Sequence, residues 1–159
     1  MKNNKQNISG IEFKHLKTHG DRRGYFREII RSSDPFFENE GFAQWSHSHL
    51  FQGVIKAWHY HEIQTDYWYV ASGIIRVGLC DMRKDSSTFQ KTMDFFMGDL
   101  QQPTCLKIPP GIAHGCKAVQ GPANLFYVMD REYNPNDEHR LPFNDLQINF
   151  DWNKDYEIT

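Results

Sequence analysis

Nine short blocks of alternating, β-branched or aromatic residues, each broken by turn residues before it reaches helical length, constrain the fold of this chain more than any other feature. They cover residues 11–16, 25–30, 54–60, 67–71, 74–81, 92–96, 105–108, 116–119 and 123–130, and such blocks mark strands. Between them stand Gly20-Asp21, Ser72-Gly73, Lys84-Asp-Ser-Ser87, Met97-Gly-Asp99, Pro109-Pro-Gly111 and Gly121-Pro122, all turn material. One short helix is expected over residues 35–40, where Asp34 can cap it, Pro35 suits its first turn and Gly41 can close it. The pattern predicts an all-β, jelly-roll type barrel, which encloses a cavity that a small ligand can enter.

At 159 residues the chain is expected to form one domain, spanning 1–159. Eighteen Lys and Arg stand against twenty Asp and Glu, a net charge of −2, so no basic field exists to hold a nucleic-acid polymer. An anionic ligand must be gripped locally, and a small phosphorylated one fits. The amino terminus is polar without an apolar h-region, and no apolar run is long enough to span a bilayer, so the expectation is a cytoplasmic protein with no membrane partner. Cys80, Cys105 and Cys116 form no CxxC pair, which fits free structural thiols in a reducing compartment.

The chemistry concentrates at His59-Tyr60-His61, followed by Asp66 and, much later, by His114 in Ile108-Pro-Pro-Gly-Ile-Ala-His114. Side chains two apart on a strand share a face, so His59 and His61 can converge on one cavity. Burying them without partners would cost on the order of 1–3 kcal/mol per unsatisfied group. The other histidines, His15, His19, His47, His49 and His139, read as surface or hydrogen-bonded residues. The spacing Gly53-x5-His59-x-His61-x4-Asp66-x6-Gly73 with Pro109-x-Gly111-x2-His114 resembles the two motifs of metal-binding cupins, with Asp66 in place of the usual glutamate. His59, His61, Asp66 and His114 would make a site for Fe, Mn, Ni or Zn. Pro103 and Ala118 depart from the second motif, standing where it has glycine and asparagine.

A longer ordered series covers about residues 10–152: Asp21-Arg-Arg-Gly-Tyr-Phe-Arg-Glu28, Gln44-x-Ser46-x-Ser48, Gly53-Val-Ile-Lys-Ala-Trp-His-Tyr60, the loop from Asp81 to Phe89, Ile108-Pro-Pro-Gly-Ile-Ala-His-Gly115, Leu125-Phe-Tyr127, Tyr133-Asn-Pro135 and Asn144-Asp145. Together these resemble the dTDP-4-dehydrorhamnose 3,5-epimerase family and its sugar-nucleotide relatives. The resemblance implies a cupin-like jelly-roll homodimer, needing no cofactor, that binds a nucleotide-linked 4-keto-6-deoxy sugar for deoxysugar or polysaccharide biosynthesis. It implies His59 as the base, Asp145 as the carboxylate that orients it, and Tyr127 as the acid on the far face. It also implies substrate contacts from Arg23, Phe26 and Glu28 to the nucleotide, from Gln44 and Gln64 in the sugar pocket, from His114 in the cavity wall, and from Lys56, which stands where the family has arginine. By strand alternation Lys56 and His59 face opposite ways, so a bulge is required for both to reach one ligand.

Asp66 is the sharpest departure, because the resemblance implies a lysine there that steadies the enolate. A carboxylate about 4 Å from an enolate oxygen repels it by roughly 4 kcal/mol at an effective dielectric near 20. Three readings therefore stand open from sequence. The first is an epimerase or related 3,4-ketoisomerase. The second is a metal-dependent cupin enzyme using His59, His61, Asp66 and His114. The third is a sugar-nucleotide-binding module without turnover.

Overall fold

The computed structural model describes residues 7–37, 41–99 and 102–154. Its strands are β1 (Glu12–His15), β2 (Thr18–Asp21), β3 (Gly24–Arg27), β4 (Gln44–Leu50), β5 (Ile55–Tyr60), β6 (Asp66–Asp81), β7 (Thr92–Gly98), β8 (Thr104–Ile108), β9 (Ile112–Met129) and β10 (His139–Arg140). The fold is all-β and jelly-roll-like, with every strand pairing among the described residues antiparallel.

Two long strands generate the architecture. The blocks at 67–71 and 74–81 fuse into β6, and those at 116–119 and 123–130 fuse into β9. What the sequence marks as turns at Ser72-Gly73 and Gly121-Pro122 are bends inside continuous strands. Register between β6 and β9 shifts at Val70/Ser72, Ser72/Ile74 and Ile74/Ile75, and Gly73 sits there in the left-handed region at φ +75°. Such irregularities bend and twist a ladder without ending it. The first halves of β6 and second half of β9 form one layer with β1, β8 and β4; the remaining halves form a facing layer with β7, β5 and β10.

The hydrogen-bonded path is open. It runs β1-β8-β6-β9-β5-β10, so the expected barrel is closed by packing of two layers and not by a continuous ladder. Trp68, Val70, Ile75, Val77, Leu79, Leu106, Ile108 and Leu125 fill the space between the layers. Each such side chain, fully buried, contributes roughly 1.5–3 kcal/mol. Alternation sends Tyr67 to the outer face, where Phe36 and Phe37 cover it, while Trp58 on the outer face of the other layer packs against Trp152. The carboxyl-terminal segment thus backs the strand that carries His59.

Local differences from expectation have local causes. The strand expected at 25–30 is shorter: β3 pairs only with β2, in a two-stranded hairpin outside the main sheet. At the expected helix a single 3-10 turn forms at Pro35–Phe37, and residues 38–40 lie outside the described residues. Asp34 spends its carboxylate on Lys14 and the Arg31 amide, while its carbonyl accepts the Phe37 amide. The 81–89 motif is a structural staple: buried Asp81 accepts hydrogen bonds from Arg83, Ser86 and Thr88. Despite burial, those donors hold its carboxyl well below the ordinary range.

Candidate active site

His59 and its neighbours lie at one end of the space between the layers. β5 bulges between Lys56 and His59 where it pairs with β9, so the bulge that the sequence demanded is present and both residues line one cavity of about 500 Å3. Its wall also includes Ser48, Trp68, Leu125, Tyr127, Glu138 and Arg140. A second cavity of about 210 Å3 adjoins it, shares His59, Tyr127, Glu138 and Arg140, and adds Gln44, His61, Gln64 and Asp66. His59 comes from the layer of β5 and Tyr127 from the facing layer, so the two side chains meet the cavity from opposite walls.

Hydrogen bonds fix the floor. His114 Nδ1 lies 2.8 Å from the Ile112 carbonyl and His61 Nδ1 lies 3.0 Å from the Asp137 carbonyl, so each ring carries its proton on Nδ1 when neutral and turns Nε2 inward. Gln64 Nε2 donates to Asp66 Oδ1 at 2.8 Å and sits 3.3 Å from His61 Nε2. His114 Nε2 is 3.4 Å from Asp66 Oδ2, within ion-pair reach but without hydrogen-bond alignment. The ring centroids of His59 and His114 are 4.2 Å apart. One ring nitrogen from each of His59, His61 and His114 lies within 4.8 Å of the others, the donor set that could hold a metal.

Electrostatics follow from burial. Desolvation, reinforced by the neighbouring His114, pushes His59 down to about 3, so its imidazole is neutral at physiological pH. Burial alone would raise the Asp66 carboxyl, but His114, His61 and Gln64 outweigh it and hold it at about 2. Asp66 is therefore an anion that accepts from Gln64 Nε2 at 2.8 Å and from Trp68 Nε1 at 3.4 Å, which tempers the repulsion expected from sequence. Burial and then the Asp66 charge raise the Tyr127 phenol, keeping its proton in place.

The structure assembles His59, Tyr127, Gln44, Lys56, Gln64 and Asp66 on the cavity walls, with His114 packed beneath His59 and His61 beside it. It does not bring in Asp145. That carboxylate caps its own turn, accepting from the Gln147 and Ile148 amides at 2.9 and 3.1 Å, while His59 Nδ1 is buried with no hydrogen-bond partner. No hydrogen bond joins Asp145 to His59, and the buried carboxylate beside the histidine cluster is Asp66, next to His114. Arg23, Phe26 and Glu28 are also outside both cavities. Arg23 pairs with Asp21, Glu28 pairs with Arg31, and Phe26 is 66% exposed. Sequence reasoning missed Arg140 and Glu138, because only the two-residue β10 pairing, Arg140 opposite His59, brings them to the site.

A family model described as dTDP-4-dehydrorhamnose 3,5-epimerase matches residues 5–159. The spore coat polysaccharide biosynthesis protein SpsL of Bacillus subtilis is 41% identical over 152 residues, covering 94% of this chain and 99% of its own. A dTDP sugar isomerase from Desulfovibrio desulfuricans superposes with a TM-score of 0.86 at 25% identity, covering 91% of this chain and 92% of its own. A dTDP-6-deoxy-D-glucose-3,5-epimerase from Legionella pneumophila, solved with dTDP-4-keto-L-rhamnose, superposes with a TM-score of 0.83 at 26% identity, covering 92% and 80%.

Proposed function

We propose that this chain, which belongs to the dTDP-4-dehydrorhamnose 3,5-epimerase family, epimerises a nucleotide-linked 4-keto-6-deoxy sugar at a carbon beside its ketone, supplying a deoxysugar for a surface polysaccharide. The observation that carries this reading is that His59 and Tyr127 meet one cavity from facing layers, where burial favours the neutral imidazole and the protonated phenol. A C4 carbonyl acidifies the hydrogens on C3 and C5. His59 takes one of them as a proton, the electron pair moves to the C4 oxygen as an enolate, and Tyr127 returns a proton to the opposite face of the same carbon. The configuration inverts without change in oxidation state, so the step asks for no cofactor.

Because His59 Nδ1 is sealed from solvent, Nε2 is the nitrogen left to meet the sugar. A base held near 3 is weak, but the negative charges of a bound diphosphate favour its protonated form and strengthen it. Lys56 and Arg140 are the cations on the larger cavity and suit that diphosphate. Arg140, paired with Glu138 at 2.7 Å, also faces the smaller cavity and would turn to the enolate oxygen, the duty that a lysine at Asp66 would have had.

Incubation with dTDP-4-keto-6-deoxyglucose in deuterated water tests the reading: deuterium should enter C3, C5 or both, and a substrate recovered with neither labelled would refute it. Tyr127→Phe removes the returning proton while keeping the ring. It should slow formation of the inverted product by about 10–100-fold while leaving KM within severalfold. A phenylalanine variant that inverts at the normal rate would reassign the acid.

A homodimer belongs to the same reading. The outer face of the β4–β9–β6 layer carries an apolar groove of about 410 Å3 lined by Ile29, Ile30, Phe42, Trp45, Phe126 and Val128, and Trp45 is 70% exposed. A second copy packed there would cover this patch. It would also give the exposed hairpin of Arg23 and Phe26 a neighbouring cavity to serve, where guanidinium and ring suit a phosphate and a base. Sedimentation should return twice the 18.8 kDa chain mass, and a monomer at micromolar concentration would rule the arrangement out. Three free, buried cysteines suit a cytosolic protein, and among the described residues no helix is long and apolar enough to cross a membrane.

A further inference from the structure

We infer that the histidine cluster at the cavity, half-buried His59 with buried His61 and His114, captures a divalent transition-metal ion, and that the ion shuts off the proposed epimerisation by taking the base. The second half of this rests on His59 being that base; the first half does not. Three observations carry it.

The cluster is built like a ligand set. His61 and His114 each have Nδ1 tied to a backbone carbonyl, at 3.0 and 2.8 Å, an arrangement that fixes the tautomer and leaves the lone pair on Nε2. Metal-ligating histidines are held this way by their outer partners.

Two nitrogens in the cluster are unsatisfied. His59 Nδ1 and His114 Nε2 are both buried without a hydrogen-bond partner. Leaving them so costs on the order of 1–3 kcal/mol each, and a single ion between them would satisfy both. The donor atoms lie within 4.8 Å of one another. A tetrahedral ion with bonds of about 2.0–2.1 Å needs nitrogens roughly 3.4 Å apart, so the widest pair has to close in by up to about 1.4 Å.

Charge favours a cation. Asp66, 2% exposed, stands 3.4 Å from His114 Nε2, close enough to serve as a fourth ligand or as the counter-charge. Three imidazoles and one carboxylate suit Zn, Fe, Co or Ni over Mg or Ca.

The consequence for the base follows from the electron count of imidazole. A neutral ring has one nitrogen lone pair and one N–H. If His59 Nδ1 gives its pair to an ion, Nε2 carries the hydrogen and has no pair left for a sugar C–H. An ion here thus competes with proton abstraction instead of assisting it.

Cobalt(II) is the probe. The full-length chain, stripped with EDTA, is titrated with CoCl2 while visible absorption and metal content are read. One cobalt per chain with the intense bands of a four- or five-coordinate nitrogen-rich site is expected, and His61→Gln should weaken binding at least tenfold. The exposed pair His47 and His49, which share Asn124 Oδ1, is the control. Loss of binding in the double variant His47→Ala, His49→Ala in place of His61→Gln would overturn the site. So would a weak octahedral spectrum, a reading of the wild type that stands if His61→Gln folds poorly. In the second arm, saturating cobalt should cut deuterium entry into the keto-sugar at least tenfold and EDTA should restore it. Undiminished exchange by the cobalt-loaded chain would refute the competition. A metal-free chain that never exchanges would instead fail the epimerase reading while the cobalt spectrum still judges the site.

Discussion

His59→Asn is expected to lower the rate of deuterium entry at C3 and C5 of dTDP-4-keto-6-deoxyglucose by about 10^3-fold, within the 10^2–10^4 range that a positioned general base supplies and equivalent to about 4 kcal/mol of barrier. Asparagine keeps a polar side chain of similar reach but has no lone pair basic enough for a C–H. The structure favours retention of the fold, because His59 is only half-buried, its Nδ1 bonds nothing, and the strand beneath it is anchored through Trp58 against Trp152 and Phe150. Ligand binding should survive, since in the proposed complex the diphosphate lies against Lys56 and Arg140, which line the larger cavity, and not against the base. The measurement is therefore paired: exchange by NMR, and affinity for dTDP by calorimetry. A variant that binds dTDP within severalfold of the wild type yet exchanges at an undiminished rate would transfer the base to another group. Few are available there: His114 is sealed at 2% exposure with Nε2 turned to Asp66, and Tyr127 keeps its proton.

How much of this was legible in the sequence depended on which way the polarity code ran. Strands with an apolar inner face, such as β8 and both halves of β6, announced themselves. β4 did not. Its inward residues Gln44, Ser46 and Ser48 are polar because two of them line the smaller cavity and one the larger, while Trp45 is exposed on the outer face. A strand that walls a ligand cavity inverts the usual pattern, and the period-two signal is then read as loop. The long bent strands failed for a different reason: glycine beside serine, and glycine before proline, mark a chain reversal and a strand bend alike, and only partner registers tell them apart.

The site divided in the same manner. His59, His61 and His114 could be placed because strand parity and the turn Pro109-Pro-Gly111 set them on one inner face, and the bulge required for Lys56 is where that parity breaks. Asp145 could not be checked from sequence, since a carboxylate two and three residues before free amides can cap its own turn, as this one does. Arg140 carried no periodic signal at all in a strand of two residues.

Gly115→Ala is expected to destabilise the chain by about 3 kcal/mol and to lower exchange with it. Gly115 lies in β9 between His114 and Cys116, on the stretch that β5 crosses with its bulge. A Cβ built there would stand 2.3 Å from Ala57 Cβ, 2.8 Å from Ala57 Cα and 2.8 Å from the Lys56 carbonyl oxygen, all far inside contact distance. Two of those atoms are backbone, so no side-chain rotation relieves the clash and β5 itself must move away. Overpacking of this kind typically costs 1–3 kcal/mol, and a backbone shift places it at the upper end or beyond. The movement falls on the residues between Lys56 and His59, so both cavity positions shift, and a displacement of about 1 Å at a reacting group can cost 10^2-fold in rate. Thermal unfolding should therefore show a clear drop in Tm, and the folded fraction, assayed at low temperature, should exchange at least tenfold more slowly than the wild type. Compensation offers the sharper check: Ala57→Gly removes the Cβ that the new methyl meets, so Gly115→Ala with Ala57→Gly should recover part of both losses. If the double variant is no better than the single, the close approach of β5 to Gly115 is not what sets the bulge, and the geometry that aims His59 has another origin.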